Sequence, residues 1–443
     1  MEKSIFRAYD IRGKYPSEID GEVAFRIGRA IVEFLGKKNP NIVIGRDNRL
    51  SSLFLSKKLK QGILMQGGNV IDASLSTTPL LYFSVFHGEY DGGINITASH
   101  NPSYYNGFKI VREKAIPIGG KTGLEQIKEL VTKGKFKKTL KGKELRKSFL
   151  KNYAEFIRSG FNFGKMKPFK IVIDTANAVP GIVISEVFKK TPFKIYPIFQ
   201  KLIGSFPNHD PDPSIPKNLR KLQSQVIKRK ANLGIAFDGD GDRIIFVNEK
   251  GSIIQADLIL ALISEILLKE TKGCKILYDV RSSNIVKETI KKNKGVAIMG
   301  RVGHSFIKAK MRKENICFGG ELSGHYYSKK HCFCEAPFFV LFKVLEYLSF
   351  TGKSFSETMN PFEKYYHSGE INFKVEDKKK KIKELEKKYK KGKISHLDGL
   401  RCDFDDWWFN VRPSNTEPFL RLVIEAKTKD LMEKKKKEIK ESI

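Results

Sequence analysis

Three times along the chain an apolar run ends at an aspartate and opens into a short polar loop: NIVIGRDNRLSS (41–52), KIVIDTANAVPG (170–181) and KILYDVRSSNIV (275–286). Each fits a buried parallel strand that hands over to a helix. Asp47, Asp174 and Asp279 hold comparable places in these units, roughly a domain's length apart. Three related α/β domains are therefore expected. Strand, loop and helix in this order is a common arrangement and says nothing about chemistry by itself.

The chain then changes character. Beyond Pro361 come strand-like GEINFKV (369–375), a Lys/Glu-rich helix, strand-like WWFNVR (407–412), a loop, strand-like FLRLVIEA (419–426) and a last helix, a tail of α+β type. The Lys-rich, Gly-punctuated stretch KGKFKKTLKGKELRK (133–147) and the turn NEKGS (248–252) mark earlier boundaries. Four domains at 1–147, 148–250, 251–362 and 363–443 follow, in keeping with a length of 443 residues.

Composition narrows the class. With 40% hydrophobic residues the chain has ample material for packed cores. The N-terminus MEKSIFRAYDIRG meets charge before any apolar run forms, so it does not read as a signal peptide, and the most apolar windows (258–268 and 336–350) are cut by Ser, Glu or Lys well short of a membrane span. Five cysteines in no regular framework suit a reducing compartment, and a cytoplasmic location is expected. His331, Cys332 and Cys334 lie close together, but one Cys-x-Cys without a second pair is poor spacing for zinc.

The net charge of +33 calls for an acidic partner or a solvated surface. Much of it is Lys interleaved with Glu, as in 376–393 and 432–442, without the aromatics that stack on bases. No nucleic-acid partner is expected, although the charge would help attract a phosphorylated substrate.

Four polar loops carry the chemistry. The strand GGINIT (92–97) runs into ASHNPSYYNGFK, leaving Ser99 at the carboxyl end of a strand, where ligands of α/β sheets gather. A hydroxyl there can carry a phosphoryl group with His100 and Lys109 at hand, or it can simply cap the next helix. DGDGDR (238–243), between strand-like LGIAF and IIFVN, sets Asp238, Asp240 and Asp242 at alternate positions around glycines. Three carboxylates so spaced can converge on one hard cation, Mg²⁺ by preference. An EF-hand would need Gly where Arg243 stands. GGELSGH (319–325) spaces Glu321, Ser323 and His325 two apart, which suits vicinal sugar hydroxyls or a plain Gly-rich turn. RPSNTEP (412–418) offers Arg412, Ser414 and Thr416 as a phosphate cradle, with Arg421 as a possible second guanidinium, or else forms an ordinary turn. A nucleophile, a cation site, a sugar loop and a phosphate loop make sense together if their segments face a common cleft.

These motifs resemble the α-D-phosphohexomutases, and among them the phosphomannomutase and phosphomannomutase/phosphoglucomutase branch. The likeness runs from FRAYDIRG (6–13) past RPSNTEP, with TASHNP, DGDGDR, GGELSGH and RPSNTEP in the family's order; FPNHDPDPS (206–214) and RVGHSFIK (301–308) are similar to further segments. The resemblance implies three related mixed α/β domains plus a C-terminal α+β domain around a central active-site cleft. It implies Ser99 as a phosphoserine, and Mg²⁺ held by its phosphate with Asp238, Asp240 and Asp242. Tyr9, Arg12, Arg281, His304, Glu321, Ser323, His325, Arg412, Ser414, Asn415 and Thr416 would contact the phosphosugar. His100, Lys109 and Arg12 are the candidates for proton movement.

The expected reaction interconverts mannose 6-phosphate and mannose 1-phosphate through a hexose 1,6-bisphosphate, with glucose phosphates also accepted, by a monomer or homodimer. Phosphoglucomutase or phosphoglucosamine mutase activity, a phosphatase using Ser99, and a basic nucleic-acid-binding protein are the alternatives. Two departures stand out: Arg281 where many relatives carry Lys, and Glu335-Ala336 where Asp-Gly is expected.

Overall fold

The computed structural model describes residues 5–136, 140–414 and 419–443, which gather into two compact units: 1–254 with 323–356, and 255–322 with 357–443.

In the first unit the run at 41–52 becomes the strand Asn41–Arg46 and the helix Ser52–Met65. Ile42, Val43 and Ile44 are all buried, as a strand covered on both faces requires. Burying each such side chain is worth about 1.5–3 kcal/mol. The sheet order is Ile11–Lys14, Tyr105–Arg112, Gly92–Ile96, Asn41–Arg46, Asn69–Leu75, Glu144–Arg146. The last four run parallel, while Tyr105–Arg112 is antiparallel to both of its neighbours in this order. The helix Gly21–Leu35 starts where Asp20 accepts a hydrogen bond from Val23 N and stops at Gly36, with φ 62°.

A second sheet in this unit has the order Ile253–Ile254, Ile244–Asn248, Leu233–Phe237, Lys170–Asp174, Lys194–Ile198. Its strands Leu233–Phe237 and Ile244–Asn248 pair antiparallel, so 238–243 is their hairpin loop. A short hairpin (Tyr326–Ser328 with Cys334–Glu335) and the apolar helix Pro337–Thr351 complete the unit.

In the second unit Lys275–Asp279 runs parallel to Val296–Gly300 and Phe318–Gly320. The helix Ala256–Glu270 absorbs one of the two apolar windows. The tail forms an antiparallel sheet in the order Tyr366–His367, Phe419–Ala426, Trp407–Pro413, Leu400–Asp403, Lys393–Ser395, with Ile371–Lys374 also pairing with Phe419–Ala426. The helices Lys378–Lys388 and Lys429–Lys440 carry the Lys-rich segments. Among the described residues no helix is long and apolar enough to cross a membrane.

Candidate active site

In the first unit the loop after Gly92–Ile96 meets the hairpin loop of the second sheet. Ser99 Oγ donates to Asp238 Oδ2 at 2.7 Å and lies 3.4 Å from His100 Nδ1. Ser99 is only 2% exposed and sits at φ 51°, so the surface-facing loop that a phosphoryl carrier suggests is in fact closed over it. The glycines of DGDGDR have separate reasons. A Cβ on Gly239 would stand 2.2 Å from the Ser99 carbonyl oxygen, and Gly241 turns at φ 70°.

Asp238 Oδ1 accepts from the backbone N–H groups of Asp242 and Arg243. Lys109 Nζ, from the strand Tyr105–Arg112, donates to Asp240 Oδ2 at 2.6 Å and to Asp242 Oδ2 at 2.5 Å. Thr78 Oγ1 also donates to Asp240. Burial, then Asp242 and Asp240, push the Asp238 carboxyl well above the usual range. Asp242 is likewise buried, yet Lys109 and His325 hold it well below; His325 Nε2 is 3.2 Å from its Oδ1. Burial works against the Lys109 ammonium, but the three carboxylates raise its pKa. His100 is kept neutral by burial and by Arg243, Arg12 and Lys109. Its Nδ1 faces Arg243 Nη2 at 3.0 Å.

These residues fit a cation. Asp238, Asp240 and Asp242 each offer an oxygen within 4.8 Å of the others, and buried Asp240 Oδ1 has no hydrogen-bond partner among the described residues. Three carboxylates this close repel one another, which is part of what raises Asp238, and a bound cation would offset that repulsion.

Arg12 donates to Asn101 Oδ1 at 2.6 Å and to Asp10. Arg12 lies on the strand Ile11–Lys14, and Tyr9 in the bend that leads into it. Ser323 Oγ lies 2.8 Å from His325 Nδ1. The FPNHDPDPS segment sets His209 3.2 Å from Asp174 and Asp212 3.9 Å from Arg243.

Sequence reasoning missed Arg49. Its guanidinium is fully buried, pairs with Asp47 at 3.0 Å, and donates to the carbonyls of Ser99, Asn101, Pro102 and Tyr105 at 2.5–3.2 Å. One fork thus ties down the backbone of the whole Ser99 loop. Arg49→Lys keeps the charge but not the fork, and orphans several carbonyls. We expect it to cost about 2–4 kcal/mol of stability and to lower kcat more than it raises KM, read from a denaturant titration beside steady-state kinetics.

In the second unit Asp279 binds Arg281 through its backbone N–H (2.7 Å) and its guanidinium (2.7 Å at Nη2), and accepts from Leu322 N of the GGELSGH loop. Glu321 Oε2 accepts from Gly303 N, next to His304, which opens the helix His304–Glu314. Glu370, also missed, is the counter-ion of three guanidiniums: Arg281 at 3.1 Å, Arg412 at 2.9 Å and Arg421 at 3.0 Å. Arg281 replaces the expected Lys without losing this convergence. Ser414 is buried at the last described position of its loop; Asn415 and Thr416 lie outside the described residues.

Burial would raise the Glu370 carboxyl, but the three arginines hold it at about 2, against an ordinary 4.5. A depressed acid gives stability above its unfolded pKa and loses it as pH falls through the folded value. Glu370→Gln should therefore destabilise by on the order of 1–3 kcal/mol at neutral pH. The gap to the parent should close between about pH 4.5 and 2 in denaturant titrations.

Models of the phosphoglucomutase/phosphomannomutase family match consecutively: α/β/α domain I over 3–138, domain II over 149–251, domain III over 255–365 and the C-terminal domain over 370–442. The chain is 38% identical to a phosphomannomutase of Vibrio cholerae over 439 residues, covering 96% of this chain and 95% of that one. It is also 38% identical to a phosphomannomutase of Methanocaldococcus jannaschii, covering 99% and 97%. A crystal structure of a phosphoglucomutase/phosphomannomutase family protein from Burkholderia thailandensis superposes with a TM-score of 0.92 at 30% identity, covering 100% and 97%. The chain belongs to the phosphoglucomutase/phosphomannomutase family, with its four-domain α/β architecture. As such it is an intramolecular phosphotransferase, a phosphohexomutase.

Proposed function

We propose that the chain is a phosphomannomutase that interconverts mannose 6-phosphate and mannose 1-phosphate and also accepts glucose phosphates. The observation that carries the chemistry is Ser99 Oγ at 2.7 Å from Asp238, inside a loop of three carboxylates and flanked by Lys109 and Arg243. Mannose is favoured by the relatives that bear the name phosphomannomutase.

In the proposed cycle phospho-Ser99 gives its phosphoryl group to the free hydroxyl of a hexose monophosphate. The bond from phosphorus to Ser99 Oγ breaks, a bond to the sugar oxygen forms, and the hydroxyl proton leaves to the neutral imidazole of His100, while Lys109 and Arg12, the other two candidates, are cations and assist as hydrogen-bond donors. The product is a hexose 1,6-bisphosphate. It turns end for end and returns its other phosphate to Ser99. Asp238, Asp240 and Asp242 would hold Mg²⁺, which when bound stabilises negative charge on the transferring group. Lys109 and Arg243 add fixed positive charge to the acidic loop that Ser99 Oγ contacts, and the burial of Ser99 excludes water that would hydrolyse the phosphoserine.

Arg281, His304, Arg412, Ser414, Asn415, Thr416 and Arg421 would hold the phosphate that is not reacting. Tyr9, Arg12, Glu321, Ser323 and His325 would address the sugar, and its O3 and O4 are shared by mannose and glucose. The same reading places the enzyme in the cytoplasm as a monomer or homodimer that takes hexose phosphates and no nucleic acid, in four domains at the boundaries given above.

The test is to assay mannose 1-phosphate, glucose 1-phosphate and glucosamine 1-phosphate side by side with purified protein. Turnover of the first two, with transient hexose 1,6-bisphosphate, is expected. Isomerisation of glucosamine 1-phosphate alone would reject the mannose reading, and release of free phosphate without isomerisation would favour a phosphatase.

A further inference from the structure

A pocket of about 290 Å³ opens in the first unit where the strands Asn41–Arg46, Asn69–Leu75 and Glu144–Arg146 end. These strands are parallel neighbours, so the pocket lies outside their carboxyl ends, the side of an α/β sheet that takes ligands. Neither Ser99 nor any residue of the acidic loop lines it.

Its wall holds an unusual charge arrangement. Arg46 is half-buried, and the one hydrogen bond its guanidinium makes among the described residues runs to the Asp47 carbonyl at 3.2 Å. Burial lowers its basicity, and neighbouring Arg146 lowers it further, against the pull of Asp47 and Asp72. Among the described residues neither Arg46 nor Arg146 has an ion-pair partner. The carboxylates within reach are already engaged: Lys60 takes Asp72 Oδ2 at 2.7 Å and Glu144 at 2.6 Å, and Ser74 N takes Asp72 Oδ1 at 2.8 Å. Lys147 lines the same pocket and packs over the rings of Tyr90 and Phe149. Two guanidiniums side by side, one of them partly desolvated, cost free energy unless an anion joins them.

We infer that this pocket is a second anion site, formed by Arg46, Arg146 and Lys147 and fitted to the phosphate dianion of a small metabolite or to free phosphate. Two planar forks match the oxygens of a tetrahedral dianion better than a lone carboxylate. The volume lies at the small end of ligand pockets, which start near about 300 Å³. Leu75, Phe149 and Leu150 offer a short apolar surface for the body of an ester. The proposal goes beyond the mutase reading and does not depend on it.

The test uses full-length protein with inorganic phosphate and with glycerol 3-phosphate as probes, reading hydrogen exchange at 72–75 and 144–150 and thermal midpoints. In the parent both segments should gain protection on titration, and the midpoint should rise with ligand. Arg146→Glu hands Arg46 the carboxylate it lacks. Its midpoint without ligand should equal or exceed the parent's, while probe affinity at these segments falls at least about tenfold and mutase kcat stays within about twofold. Arg46→Gln should weaken the same protection. Tighter binding of glycerol 3-phosphate assigns the site to an ester, and equal binding assigns it to free phosphate. No protection at 72–75 and 144–150, or protection unchanged in both variants, overturns the proposal.

Discussion

Ser99→Ala should cut mutase turnover by a factor on the order of 10³ or more while leaving the fold in place. Ser99 Oγ is the hydroxyl of its loop that contacts Asp238 of DGDGDR, and the adjacent candidates do not replace it: His100 is held neutral against Arg243, and Lys109 is held charged by three carboxylates. The structural cost should be small. The alanine variant loses the hydrogen bond to Asp238, worth about 0.5–1.5 kcal/mol to a neutral acceptor and about 1.5–3 kcal/mol to a charged one. The backbone turn at φ 51° is held independently by the Arg49 fork and by Ser99 N on Thr97 Oγ1. Intact-mass measurement should find phosphate on the parent and none on the variant. An alanine variant that turns over at near-parental rates would falsify the phosphoserine mechanism.

Removal of divalent cations should have an effect of similar size. Asp238, Asp240 and Asp242 crowd three buried carboxylates together, and Asp240 Oδ1 has no hydrogen-bond donor among the described residues. Excess chelator should stop the reaction, and Mg²⁺ should restore it. Asp240→Asn removes one charge from the site and should raise the Mg²⁺ concentration for half-maximal activity by about tenfold to a hundredfold. Mg²⁺ should also raise the thermal midpoint of the parent more than that of the variant. Full activity in excess chelator would sink the assignment.

What the sequence disclosed was whatever is written within a few residues. The apolar runs ending at Asp47, Asp174 and Asp279 became strands at their stated places, and the DGDGDR glycines are needed for the close approach and the turn that spacing implied. Arg49 and Glu370 escaped because their roles are made by partners far along the chain. Arg49 reaches carbonyls 50 to 56 residues away, and Glu370 meets arginines 42, 51 and 89 residues away. No local pattern marks either. The burial of Ser99 leaves no local mark for the same reason, since Arg49, Asp238 and Gly239, which approach it, lie 50, 139 and 140 positions away.

Glu370 has a consequence for how tightly the enzyme can hold its reactant. Glu370 is seated among Arg281, Arg412 and Arg421, so on the proposal that these arginines take the non-reacting phosphate, an arriving phosphate swaps one anion for another and does not fill bare positive charge. On the proposed mechanism, only the difference between the two anions appears as affinity. On the same mechanism the cluster is not left empty when the bisphosphate lets go, because Glu370 stands ready to pair with it again. Capture is thereby weakened and departure quickened, which is what a catalyst needs if it must release one end of its intermediate and grasp the other before the molecule diffuses away.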